Sequence, residues 1–477
     1  MKKLVLATML VVAFSAIPAF AAVQNIKVSG DIDSTYLYRE NFDLGRNVIG
    51  DEVQSLFLTQ ATLRVDAELT ENVQAVLRLI NERAWGEEDD PSTNNTDVDL
   101  NLAYVTLKEM LYQPLMVVAG RQDFRYGNSL VMDSIGPNNI ATGALATIAQ
   151  DLTKRKALDA IRAILDYNPL TVEVFLAKVD ANTLTAVSDD DDDIDLYGTN
   201  LNYKVGDEWN SELEGYFFAK IDKTPGSASA SNKGDKNDSI YTPGLHASTN
   251  PIKGLNVQGE VAWQGGNKVT STTVGGNNQK REAMAAQALA SYQVPLEATK
   301  EWNPVVSGVY TYVSGDSNVS DDNTVTTAAY ANEASREKWT AWDPLFENQG
   351  GGTVYNTLFD LTNLHIITAS AQVNPIEDVT AKVSWTGMWL DKKVPNGRTL
   401  TLRQPDGGTS STADVTRDDE VGYEIDAQLA YNYTEDVTIG ASFGWFVPGD
   451  LFVGEEAPNI HNDTTASQAL VNVDVNF

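Results

Sequence analysis

The chain has 477 residues, no cysteine and three histidines, and its 66 acidic residues against 34 basic ones leave a net charge of −32. Without cysteine there is no disulfide, thiol nucleophile or thiolate metal site, and histidines at 246, 365 and 461 are too dispersed for a histidine-built zinc site. So acidic a surface also repels nucleic-acid phosphate.

Residues 1–21 read as a secretory leader: Lys2 and Lys3, an apolar run over 4–17, then the small-x-small site Ala19-Phe20-Ala21. No later stretch approaches the run of about 18 apolar residues that a membrane helix needs. Residues 22–477 are therefore expected to form one exported domain.

From residue 23 onward, period-two alternation replaces helical periodicity. Strands are expected at 26–38, 57–69, 73–83, 98–110, 114–121, 157–167, 170–180, 193–205 and 209–220. They continue at 239–249, 254–264, 283–294, 302–313, 358–371, 378–390, 420–432, 436–447 and 468–477. Eighteen is an even number, as a bacterial single-chain barrel requires. Tight links (Thr70-Glu71-Asn72, Asn168-Pro169, Thr434-Glu435) alternate with long ones such as 122–156, 314–357 and 391–419. This rhythm predicts an antiparallel transmembrane β-barrel in the outer membrane, with short periplasmic turns and long extracellular loops.

The strands carry the matching two-faced pattern. In 57–69, Phe57, Thr59, Ala61, Leu63, Val65, Ala67 and Leu69 oppose Gln60, Thr62, Arg64, Asp66 and Glu68. In 420–432, Val421, Tyr423, Ile425, Ala427, Leu429 and Tyr431 oppose Glu424, Asp426 and Gln428. The last ten residues, QALVNVDVNF, alternate up to Phe477 and suit a closing strand. Tyr36, Tyr38, Tyr167, Trp209, Tyr431, Tyr433, Trp445 and Phe446 fall near strand ends, where interfacial aromatics collect.

The long links are polar. The run Asp189, Asp190, Asp191, Asp192 and Asp193 could contact Ca²⁺, although it lacks calcium-loop spacing and reads first as a solvated acidic loop. No other cofactor is expected. There is no G-x-S-x-G, H-E-x-x-H or phosphate-binding loop, so no enzyme is expected. The ionisable residues on inward positions instead suit a hydrated passage: Arg64, Asp66, Glu68, Arg78, Glu82, Arg121, Arg162, Asp166, Glu173, Glu212, Glu214, Lys382, Glu424 and Asp426. The alternative is a ladder of ion pairs that stiffens the wall. At the mouth of the fifth strand, Arg121, Asp123 and Arg125 lead into the apolar stretch SLVMDSIGPNNIATGALATIAQ (129–150), which is expected to fold inward and narrow the channel. Trp339 to Glu347 forms a second aromatic loop segment, suited to packing against the wall or a sugar ring.

GRQDFRYGNSLV (120–131), WDPLFE (342–347) and VGYEIDAQLAYNYTEDVTIGASFGWFVPGDLF (421–452) resemble the alginate-export family of outer-membrane barrels. The resemblance implies an eighteen-stranded, monomeric barrel, although trimers occur among general porins. It also implies an arginine-rich constriction, with Arg121 and Arg125 at the pore mouth and Arg64 and Arg78 in the wall. Three functions remain in view. The first is passive diffusion of small hydrophilic solutes or ions. The second is export of an anionic polysaccharide or oligosaccharide, and the third is a plugged barrel acting through its loops. Outer-membrane lipid and lipopolysaccharide are the expected surroundings.

Overall fold

The structure, a computed structural model, describes residues 25–45, 53–86, 98–134, 149–180, 193–223, 237–269, 278–295, 302–316, 338–349, 352–394, 399–403, 411–415, 418–452 and 464–477. The expected leader, Asp189 to Asp192 and His461 lie outside these residues.

Eighteen long strands follow one another around a single sheet. They are β1 (Asn25–Glu40), β2 (Val53–Thr70), β3 (Val73–Ala84), β4 (Val98–Lys108), β5 (Leu115–Gln122) and β6 (Leu158–Asp166). Next come β7 (Leu170–Asp180), β8 (Ile194–Lys204), β9 (Glu212–Asp222), β10 (Asp238–Ile252), β11 (Leu255–Val269) and β12 (Asn278–Gln293). The circuit ends with β13 (Val305–Val313), β14 (Leu364–Ile376), β15 (Val379–Leu390), β16 (Glu420–Asn432), β17 (Val437–Pro448) and β18 (Ala466–Asn476). Each long strand pairs antiparallel with its sequence neighbours. β18 also pairs with β1, from Asp31↔Asn476 to Glu40↔Ser467, so no edge is left open. Gly30 and Phe477 exchange backbone hydrogen bonds of 2.9 and 3.0 Å at the seam. Closure lets every strand satisfy its backbone across lipid, which is why this alternating chain adopts a barrel.

The alternation sorts the wall into two faces. Leu63, Leu176, Tyr197, Leu245, Trp263, Val383, Ile425, Phe443 and Val473 are exposed on the outside. Gln60, Thr62, Asn200, Glu260, Gln287, Thr386, Glu424 and Asp426 are buried on the inside. The described tight links, such as 71–72, 253–254 and 377–378, sit at one end and the long ones at the other.

Three local departures have physical causes. Val421, placed outward by alternation, is 1% exposed. The β15–β16 register slips between Met388 and Trp389 opposite it, and Gly422 takes φ +135°, so a bulge turns Val421 inward. The strand expected from 358 begins at Leu364, because Tyr355–Leu358 forms a one-turn helix, α1, inside the barrel. Phe446, expected at an interface, is fully buried against Phe359 of the inner loop.

Arg121 corrects a functional expectation. It sits opposite Asp159, on the face that carries exposed Ile161 and Leu176, and its guanidinium meets the Asp159 carboxylate at 3.0 Å. The same row continues to Lys178 and Asp195, whose ion pair spans 2.5 Å. Ion pairs on the outer wall are costly in hydrocarbon, so this row marks the headgroup level at the extracellular rim. Arg121 therefore faces away from the lumen.

Candidate functional site

The lumen is shaped by loop segments that enter it from the extracellular end. Residues 123–134 bring Phe124, Tyr126, Leu130, Val131 and Met132 against inward-facing Phe175 and Phe218, all of them buried. Tyr126 and Phe175 stack with ring centroids 5.8 Å apart. Exposing such a loop would leave a large apolar patch in water, and folding inward removes it. Residues 338–349 follow the same logic. Trp342 is 2% exposed, and Gln264 on the wall grips Asp343 through a reciprocal pair of 2.7 and 2.9 Å. The two segments then join each other: Asp133 N–H donates to Phe346 O at 2.7 Å, and Phe346 N–H to Val131 O at 3.2 Å.

Wall carboxylates hold these segments by accepting from their backbone amides. Gly127 N–H donates to Glu214 at 2.9 Å, and Asn128 N–H to Glu260 at 2.6 Å. Gly127 has φ +58°, and a Cβ there would meet the Glu260 carboxylate, so the turn requires glycine. Tyr126 OH donates to Glu173 at 3.0 Å, and burial pushes this phenol well above its usual range. Further round the wall, Glu424 accepts from Val354 N–H at 2.8 Å and Tyr355 N–H at 2.7 Å, capping the start of α1. Asp426 takes the amide and hydroxyl of Thr353 at 3.2 and 2.9 Å. Thus Glu424 and Asp426 face inward as the alternation implied, but both are covered by loop.

A second segment, 149–157, is tied to β1–β4. Arg39 meets Asp151 at 2.5 Å, and Glu82 accepts from Thr153 Oγ1 at 2.8 Å and Lys154 N–H at 2.7 Å while pairing with Arg155 at 3.0 Å. Lys156 lies deep in this junction. Burial lowers its amine to about 8, against the pull of Asp151, Glu82 and Glu347.

The wall arginines are compensated one by one. Arg64 and Arg78 are directly opposed on β2 and β3. Arg64 forms a two-point pair with Asp66, both contacts 2.8 Å, and Arg78 meets Asp31 at 3.2 Å. Asp123 lies close to both arginines, yet burial raises its carboxyl above the ordinary range. Arg162 lies 5.2 Å over the Phe124 ring and 3.7 Å from Glu173, while Arg125 is largely exposed beside Asp133 at 3.8 Å. The structure therefore gathers Arg64, Arg78 and Asp123, but leaves Arg121 outside. Asp193, from the acidic run, is buried and paired with Lys178. No cluster among the described residues is suited to a metal ion.

Sequence reasoning missed Glu260, Asp31 and Arg39. Period-two alternation with outward Trp263 would have found Glu260. Lys154 and Arg155 carry no local signal, because their partners Asp31, Glu82 and Asp99 lie on strands far off in sequence.

Between the inner segments and β14–β18 a cavity of about 310 Å³ remains. Thr368, Lys382, Ser384, Gln428 and Gln468 supply its wall side, and Asp151, Thr353 and Asn356 its loop side. Seven of its thirteen lining residues carry hydroxyl or amide side chains and three more, Asp151, Lys382 and Asp426, are charged, which gives water and hydrated solutes hydrogen-bond partners.

The sequence between residues 25 and 467 matches the model of the alginate export family. A comparison with curated protein sequences gave no match. Among solved structures, OccK1 of Pseudomonas aeruginosa superposes with a TM-score of 0.54 at 8% identity, covering 95% of this chain and 99% of its own. OccK3 of the same organism (0.53, 9%, covering 95% and 96%) and OccAB1 of Acinetobacter baumannii (0.53, 9%, covering 95% and 97%) are similarly alike. At such identities the likeness is one of fold. With the family model spanning nearly the whole barrel, the chain belongs to the alginate export family.

Proposed function

We propose that this outer-membrane barrel is a passive channel for small hydrophilic solutes and ions, and that it acts as a monomer. The observation that carries this reading is the cavity between the inner loops and β14–β18, where hydroxyl and amide side chains stand beside Lys382 and Asp426. Arg64 and Arg78, with Asp123, line the lumen wall on the opposite side of the β1–β18 seam. Export of an anionic polymer calls for an uncompensated basic stripe. Here Arg64, Arg78 and Arg162 each have a carboxylate partner, which favours the diffusive reading. Outer-membrane lipid and lipopolysaccharide surround the apolar belt. The test is reconstitution of the purified chain in planar bilayers. Stepwise ohmic conductance is expected, and a silent barrel would return the plugged alternative to the front.

A further inference from the structure

We infer that Lys382 sets the ion selectivity of this channel. The inference rests on the diffusive reading above and adds the group that decides which solutes cross. Lys382 projects from β15 between Gln372 of β14 and Gln428 of β16, neither of which carries charge. It borders the polar cavity together with Asp151 and Asp426. Neither carboxylate engages the Lys382 amine. Asp151 is paired with Arg39 at 2.5 Å, and Asp426 takes the Thr353 amide and hydroxyl. Among the described residues, no ion pair or side-chain hydrogen bond engages the Lys382 amine. The arginines elsewhere on the wall are in the opposite condition, each with its own acid.

A fixed charge acts on a passing ion through its uncompensated part. Paired charges present a dipole whose field dies away over short distances, and salt screens what is left. Lys382 is therefore an uncompensated cation whose field reaches solutes in this cavity, although the chain as a whole is strongly acidic. The cavity favours a hydrated anion at this point, and a hydroxylated solute bearing one negative charge would find an ammonium beside Ser384, Thr368 and Gln428 as hydrogen-bond partners.

The experiment measures reversal potentials of single channels in a KCl gradient for the wild type, Lys382→Gln, Lys382→Arg, Arg64→Gln and Arg121→Gln. Lys382→Gln is expected to lower the chloride-to-potassium permeability ratio roughly threefold. Lys382→Arg should retain the ratio, which also shows that the site tolerates replacement. Arg64→Gln should move it less than Lys382→Gln, and Arg121→Gln should leave it unchanged. An unchanged ratio in Lys382→Gln, or a larger shift in Arg64→Gln, overturns the inference while channel activity stands. Absence of channels in the wild type overturns the diffusive reading and this inference together.

Discussion

At the scale of single residues, the wall acids show how a side chain's facing and its role come apart. Alternation places Glu424 on the inner face, but only the fold shows two loop amides aimed at its carboxylate, at 2.8 and 2.7 Å. A hydrogen bond contributes about 0.5–1.5 kcal/mol net, and each buried donor left without a partner costs about 1–3 kcal/mol. Glu424→Ala should therefore loosen α1 from the wall by about 2–4 kcal/mol. The readout is amide exchange at residues 353–358, which should accelerate while exchange in β16 stays slow. Equal protection in the variant would mean that the cap contributes little. Arg121 carries the complementary lesson. Its side of the strand depends on cross-strand register with Asp159, and no property of residues 114–121 alone discloses that partner.

Among the elements, the strands were legible because lipid on one side and water or loop on the other impose a strict period of two. All eighteen expected segments correspond to strands, with ends displaced by a few residues, most of all at 358–371, where α1 comes first and the strand begins at Leu364. Val421 escaped because a bulge is a register event, visible only when two strands are aligned. The inward folding expected of the apolar stretch 129–150 is seen at 129–134, while 135–148 lie outside the described residues, and 339–347, expected to pack against the wall or a sugar ring, packs against the wall. The union of the two segments through Val131, Asp133 and Phe346 was not legible, because it joins segments far apart in sequence. The docking of 149–157 has a titratable signature. Burial depresses Lys156 to about 8 from an ordinary 10.5. Between those values the undocked segment binds a proton that the docked one does not, so docking strengthens as pH rises through this window. Below about 8 the full desolvation penalty persists, and above 10.5 nothing more is gained. The gain is at most about 3 kcal/mol. Amide protection at 152–157, corrected for intrinsic base catalysis, should climb from pH 8 to 10 in the wild type and stay flat in Lys156→Met. A flat wild-type profile would place this amine in water.

For the whole molecule, the distribution of charge explains how a chain of net charge −32 resides in a membrane. Among the described residues, acids such as Glu214, Glu260 and Glu424 face the lumen, and Asp159 and Asp195 on the outer wall each sit beside a cation at the rim. The outer wall exposes large apolar side chains on strand after strand, from Ile32 on β1 through Tyr241 on β10 to Val471 on β18. Lipid already satisfies such a belt, and burying it against another barrel gains little hydrophobic free energy, because acyl chains are as apolar as leucine. Association within a membrane draws instead on small-residue patches or unpaired polar groups. The described charged groups of the outer rim pair among themselves, Arg121 with Asp159 and Lys178 with Asp195, and Tyr310 meets His365 at 2.8 Å. These paired groups thus leave little to hold one wall against another. Native mass spectrometry of the detergent-purified chain should give the mass of one polypeptide, about 52 kDa for all 477 residues, across a wide concentration range. A stable trimer that survives dilution would show that some part of this belt binds its like more strongly than lipid, and the monomeric reading would fall.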